Sequence, residues 1–238
     1  PFVVAGATSS GKTTFLNVIM SSIPDSKRVF TIESGSREFS LIHRDSENKV
    51  RNNIVNTLSR PSDNPAYDSI QEDLVVASLR FDPDIVCIGE MRDTEAYSAV
   101  EASLTGHTVV STVHSGPAGA VHLRIALLCQ KRFPIDFDTS LTQAAQTFPV
   151  VVYAHKLENN AQKCMDISEC VITQSGQREY NCLYSYQITK NTFENGKLTV
   201  EGHFRKPNFM SDSLKQRLIR YGVPQDLLDR FFRKESVE

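Results

Sequence analysis

Gly6-Ala7-Thr8-Ser9-Ser10-Gly11-Lys12-Thr13 follows a pattern of glycine, four residues, then glycine, lysine and threonine. Each residue type meets a requirement of phosphate chemistry. Glycines let backbone N–H groups turn inward around an anion, and a helix starting behind them adds the positive end of its dipole. Lys12 is placed to reach the terminal phosphates, and Thr13 offers a hydroxyl to Mg²⁺. With Thr14 the stretch supplies the candidate nucleotide-binding residues. The pattern carries weight only between a strand and a helix, and it has both flanks: the apolar run Phe2-Val3-Val4-Ala5 before it and a helical pattern over Lys12–Met20 after it.

A phosphate loop alone does not separate kinases, GTPases, helicases and motors, so a second acidic site is needed. The apolar run Ile85–Ile88 ends in Gly89-Glu90, which puts a carboxylate at the carboxyl end of a strand, where ligands bind in open α/β sheets. Glu90 is therefore a candidate, with Thr13, for holding Mg²⁺ through water or for orienting the attacking water. Taken singly, a surface glutamate at a strand end is the lesser alternative.

These residues have to be positioned by a doubly wound α/β sheet. Through about residue 155, short β-branched runs at 2–6, 28–32, 84–89, 108–113 and 149–154 alternate with helical patterns. The helices are expected at Lys12–Met20, Ser69–Leu79, Asp93–Leu104 with Asp93 as N-cap, about Pro117–Cys129, and Ser140–Thr147. The polar stretch Glu33–Asp68, with Asn48, Asn52, Asn53, Asn56, Asn64 and two prolines, reads as a long functional loop or mobile insertion. From 156 to 238 the pattern changes. Met165–Thr173, Cys182–Thr189 and Leu198–Phe204, split at Ser175-Gly176 and Asn195-Gly196, read as a small antiparallel meander. Two helices follow, one opened by Ser211 and closed by Gly222, the other with Pro224 in its first turn. The expected division is thus an ATPase-type domain over 1–155 and a C-terminal unit over 156–238. Because the first strand has no lead-in, an upstream N-terminal domain is also expected.

Composition narrows the class. The chain has 238 residues, 40% of them hydrophobic and 23% charged, which suits a globular chain with one large core or two smaller ones. A formal net charge of −2 argues against a dedicated nucleic-acid binder, whose affinity would come from a basic surface. Cys87, Cys129, Cys164, Cys170 and Cys182 include no CxxC pair, so neither a disulfide framework nor a zinc knuckle is suggested, and a reduced, cytoplasmic setting fits. No run approaches the ~18 apolar residues of a membrane span, so membrane association would come through partners.

In order along the chain stand GATSSGKT, TIESGSREF, ASLRFDPDIVCIGEMRD at Ala77–Asp93, and TGHTVVSTVH ending at His114. Together these resemble the type II/type IV secretion and type IV pilus ATPase superfamily. Its members carry a Walker A loop, an Asp box, an atypical Walker B ending in glutamate, and a His box. The later progression ISEC, LYSYQIT, GHF and GVP is similar to the Tad/Flp pilus and conjugation-type branch. The resemblance implies a RecA-like P-loop core with ATP and Mg²⁺. It also implies a homo-hexameric ring that works with an inner-membrane platform protein and pilus or secretion machinery, without nucleic acid or direct membrane insertion. In the Asp box it offers Glu33 and Glu38 as the base that activates the lytic water. Ser34 and Gly35 stand where the family has Asp and Pro, and one extra residue precedes Glu38. His114 is implied to sense the γ-phosphate, and Arg92, ahead of Arg80, to neutralise the transferring phosphoryl group, from its own or an adjacent subunit. His107 is implied to serve packing. Two rival readings share the core: a nucleic-acid translocase or conjugation-associated ATPase, and a non-hydrolysing nucleotide-binding regulator.

Overall fold

A computed structural model describes residues 1–60, 62–64 and 68–232. Among these residues nine strands form one sheet: β1 Phe2–Ala5, β2 Arg28–Ser34, β3 Asn53–Ser59, β4 Ile85–Met91, β5 Thr108–Val113, β6 Val150–Lys156, β7 Gln162–Ile172, β8 Arg178–Glu194 and β9 Lys197–Arg205. Their order across the sheet is β3-β2-β4-β5-β1-β6-β7-β8-β9. The first six in that order run parallel. The meander then continues the same sheet antiparallel from β6.

Parallel strands are buried on both faces, which requires helices above and below. On one face α1, Lys12–Ser21, packs Leu16 and Met20 with Phe39 and Leu41 against Val4, Val29, Cys87 and Val152. On the other face lie α2 Gln71–Ser78, α3 Glu95–Leu104, α4 Ala118–Gln130 and α5 Phe137–Thr147. Val75, Val100, Val121, Ile125 and Ala144 from those helices enclose Val3, Ile32, Val86, Ile88 and Val109. Helices α6, Asp212–Arg220, and α7, Gln225–Phe232, close the described chain.

Two details depart from expectation. The stretch Glu33–Asp68 is not all loop, because β3 lies within it and pairs in register with the whole of β2. Its asparagines disguised an edge strand: Asn56 Oδ1 accepts from Thr31 Oγ1 at 2.9 Å, and Thr57 Oγ1 donates to Thr31 O at 2.7 Å. Of the two prolines, Pro61 and Pro65 both lie outside the described residues. At the start of α3 the N-cap is Thr94 rather than Asp93. The buried Glu95 carboxylate accepts from the backbone N–H groups of Arg92 and Asp93, which frees the Asp93 side chain to pair with Lys131 at 3.0 Å.

Elsewhere the turn residues behave as their chemistry demands. Asn195 and Gly196 both adopt positive φ, 52° and 73°, joining β8 to β9 by a two-residue hairpin turn of the primed kind. Ser211 Oγ accepts from Leu214 N to cap α6, and Gly222 at φ 78° ends it.

Candidate functional site

β1 runs into the glycine-rich loop at the carboxyl edge of the sheet, beside the ends of β4 and β5. The loop needs its glycines. A Cβ on Gly6 would lie 2.2 Å from Ala154 O and 2.4 Å from Ser10 Oγ, so any side chain there would collide with β6 and the loop itself. Ser9 and Gly11 take left-handed φ values of 61° and 89°, a backbone shape that turns successive N–H groups into an anion-binding hollow. Gly11 is the N-cap of α1 and uses no side-chain cap, which leaves the first-turn N–H groups for a ligand. Ala7, Thr8, Ser9 and Thr14 are exposed, while Gly6, Ser10 and Lys12 are buried.

Lys12 bends back over the loop. Its Nζ donates to Ala7 O at 2.9 Å and lies 3.5 Å from His114 Nδ1. Burial lowers the Lys12 pKa, with Glu90 and Glu38 opposing that shift and Arg92 adding to it. His114, just past β5, places Nε2 2.8 Å from Glu90 Oε1, and Glu90 Oε2 accepts from Arg92 Nη2 at 2.6 Å. The four side chains thus form a continuous run, Lys12–His114–Glu90–Arg92, across the carboxyl ends of three adjacent strands. Burial is also the main cause holding the His114 pKa below its ordinary value, against the pull of Glu90. A neutral ring can offer its Nδ1 lone pair to Lys12 while an Nε2 proton faces Glu90 Oε1 without aligning on it. The Arg92 pKa is raised, first by its hydrogen bond to Glu90.

Glu90 owes its aim to a register shift between β4 and β5 at Ile88–Met91, held by Thr112 Oγ1 donating to Gly89 O at 2.8 Å. Beside it a cleft of about 50 Å³ is lined by Thr13, Glu33, Ser34, Ser36, Glu38, Phe39, Gln71, Gly89, Glu90 and Arg92. The two Asp-box carboxylates differ sharply there. Glu33 is buried at the end of β2, and its Oε2 accepts from the backbone N–H groups of Glu38 and Phe39. Glu38 is exposed, and its charge acts on both Lys12 and Arg92. Glu33 Oε1 and Glu90 Oε1 are buried without a hydrogen bond, so the His114–Glu90 approach is a close contact rather than an aligned bond. Bare carboxylate oxygens around a Thr13-lined cleft fit a hydrated divalent cation, which would supply their missing donors.

The remaining candidates lie elsewhere. His107 sits at the start of β5, at the opposite edge, with its Nδ1 3.2 Å from Ala102 O, closing off α3. Arg80 belongs to the short 3-10 turn Leu79–Phe81, whose Phe81 O accepts from Arg28 at the start of β2, again away from the loop. A larger cleft, about 520 Å³, also opens at that opposite edge between Phe2, Ile19, Thr108, Val150, Leu214 and Tyr221. Its lining is mainly apolar, with Arg217 at its side, and holds none of the candidate residues, so size is a poor guide to the chemistry here. Sequence reasoning missed Gln162, whose Nε2 donates to Ser9 O at 2.8 Å. No local signal marks it, because the contact joins residues 153 positions apart.

A phosphate-type loop at the carboxyl edge of a parallel sheet, with an acidic strand end two strands away, defines a P-loop α/β protein of the RecA-like kind. The model of the family described as Type II/IV secretion system protein matches residues 1–201, and the chain belongs to that family. Among its relatives, the type IV secretion system protein PtlH of Bordetella pertussis is 28% identical over 171 residues, 69% of this chain and 48% of that protein. The type II secretion system ATPase E of Vibrio cholerae is 38% identical over 122 residues, 50% of this chain and 21% of its own length. The solved VirB11 ATPase of the Brucella suis type IV secretion system superposes with a TM-score of 0.56 at 25% identity, covering 70% of this chain and 48% of that one. The Legionella pneumophila ATPase DotB shares the fold over 96% of this chain and 50% of its own, with a TM-score of 0.50 and 20% identity. The chain spans about half, or less, of the length of the curated relatives it matches.

Proposed function

We propose that the chain is the nucleotide-hydrolysing part of a secretion or pilus motor, turning ATP and water into ADP and phosphate with Mg²⁺. The observation that carries this reading is the continuous Lys12–His114–Glu90–Arg92 run laid against the loop Gly6–Thr13, beside a cleft lined by Thr13, Glu33 and Glu38. Membership of the Type II/IV secretion system protein family, with relatives named as secretion ATPases, supports the direction of the work.

Lys12 leaves Ala7 O for the β- and γ-phosphates, exchanging a neutral acceptor for an anionic one. The N–H groups of the loop and of the first turn of α1 surround the β-phosphate. Thr13 would hold Mg²⁺ directly and Glu90 through water; the bound ion would neutralise phosphate charge. Glu33 anchors the segment that carries Glu38, through the two backbone N–H groups it accepts. Glu38, exposed and free of that duty, takes the proton of the attacking water as its oxygen bonds to the γ-phosphorus and the bond to the bridging β-oxygen breaks. Arg92 acts within its own subunit, since its guanidinium already lies on Glu90. His114 passes the state of the γ-phosphate from Lys12 to Glu90 and the end of β5.

A homo-hexameric ring, coupled to a membrane platform protein, is the assembly in which such hydrolysis becomes movement. Among the described residues one arginine, Arg92, is in contact with a site carboxylate, so further cations on the phosphoryl group would come from a neighbouring subunit. Mg-ATP turnover per subunit should therefore rise as protein concentration is raised through ring formation. A rate per subunit independent of concentration, with no assembly visible by light scattering, would overturn the ring-motor reading.

A further inference from the structure

The loop that takes the phosphates is seated at both ends on the hairpin formed by β6 and β7. At its start Gly6 lies so close to β6 that a Cβ would stand 2.2 Å from Ala154 O. At its far end Gln162, the first residue of β7, reaches back to donate through Nε2 to Ser9 O at 2.8 Å. The same side chain covers Gly11, where an added Cβ would meet Gln162 Oε1 at 2.8 Å. Ser9 and Gly11 are the two loop residues beyond Gly6 that hold positive φ, 61° and 89°. Serine in that region is strained and stays there only if its surroundings hold it.

The hairpin is a firm support. Leu157 N donates to Ala161 O at 2.8 Å, Asn160 N to Leu157 O at 2.8 Å, and Asn159 Oδ1 accepts from Ala161 N at 3.1 Å, with Asn160 at φ 65°. Lys156 pairs directly with Gln162 across it. The amide therefore leaves a strand whose main chain is already fixed.

We infer that Gln162 is a positioning residue for nucleotide binding, holding the Ser9 carbonyl outward so that the N–H groups of Gly11 and Lys12 stay turned toward the phosphates. The inference rests on the nucleotide-binding reading of the loop given above. Gln162 touches no substrate. It acts through Ser9, and through it the antiparallel part of the sheet has a hand on the phosphate loop. In the other direction, a loop tightened on phosphate would pull on β7.

Steady-state Mg-ATP kinetics and melting curves of wild-type, Gln162→Ala, Gln162→Glu and Lys12→Ala proteins test it. Gln162→Ala removes one neutral, exposed hydrogen bond, so KM should rise about fivefold with kcat changed less than about twofold and the ligand-free melting temperature unchanged. Gln162→Glu keeps the packing but sets a carboxylate against Ser9 O and near phosphate. Its KM should rise further and should depend more steeply on ionic strength. A wild-type KM in both Gln162 variants, or a rise in KM accompanied by a fall in kcat and in melting temperature, would overturn the assignment. Lys12→Ala separates the two levels: if it turns over normally the nucleotide-site reading itself fails, whereas if it is dead while both Gln162 variants behave as wild type, only the role of Gln162 falls.

Discussion

The parallel and antiparallel parts of the sheet are hydrogen-bonded into one surface, but they are built to different rules. In β1, β4 and β5 most residues are buried and none is exposed, because helices cover both faces. In β8 and β9 exposed and half-buried residues predominate, and Ile188, Phe193 and Phe204 are exposed. The parallel strands stop together at one edge, and their ends carry Lys12, Glu33, Glu90 and His114. The antiparallel strands carry none of these. They hold the core from outside, through Gln162 on the loop, through Tyr180 on β8, whose OH lies 3.0 Å from His122 Nδ1 in α4, and through Glu169 on β7, whose carboxylate accepts from Ser211 at the start of α6. The comparison teaches that chemistry and support are separable in this chain. Substitutions at the parallel edge should change turnover and spare stability, substitutions at the structural supports Tyr180 and Glu169 should do the reverse, and Gln162, which acts on the loop itself, should alter KM alone.

The largest effect that could break this division lies within the Asp box. Glu38→Gln should lower kcat by about 100-fold or more, the usual worth of a positioned base, with an unchanged melting temperature because the residue is exposed. Glu33→Gln keeps an acceptor for the two loop N–H groups and should lose no more than about tenfold. A Glu33→Gln loss as large as that of Glu38→Gln, measured in single-turnover experiments, would reverse the two assignments.

A smaller effect sharpens the other side of the comparison. His122 is buried in α4, its Nε2 donating to Phe148 O at 2.8 Å and its Nδ1 accepting from Tyr180. Both nitrogens are used by a neutral ring, and burial lowers its pKa below the ordinary 6.5. The unfolded chain therefore binds a proton that the folded chain refuses. The stability due to this neutral ring is present above about pH 6.5 and is lost as pH falls below it, with a slope of up to about 1.4 kcal/mol per pH unit. His122→Gln should be less stable at neutral pH and show a shallower acid slope in denaturant unfolding, with KM for ATP unaltered. An unchanged acid slope would remove His122 from the support.

Much of this was legible in the residues. The β-branched runs gave all five core strands, since a strand buried on two faces must be apolar nearly throughout. The loop Gly6–Thr13 was readable because phosphate chemistry demands glycine, lysine and threonine at fixed spacing. β3 was hidden because an edge strand needs few apolar residues, and Asn53 and Asn56 read as turn formers. Asp93 was misplaced as a cap because Glu95 does that work through the backbone. Between Glu33 and Glu38 the sequence favours Glu38 only by its match to the second glutamate of the Asp box; the proposed division of labour rests on burial and two backbone N–H groups, which residue type does not reveal. Gln162 was invisible for the same reason, its meaning lying in a contact across the fold.

The central claim is that the carboxyl edge of the parallel strands binds Mg-ATP through Lys12 and then hydrolyses it with the help of Glu90. The direct measurement is the nucleotide that stays with the protein after incubation with Mg-ATP and rapid gel filtration. Glu90→Gln should retain ATP, still triphosphate, at close to one per subunit while wild type yields ADP, and Lys12→Ala should retain neither. ADP from Glu90→Gln at the wild-type rate, or ATP held by Lys12→Ala as tightly as by wild type, would contradict the account.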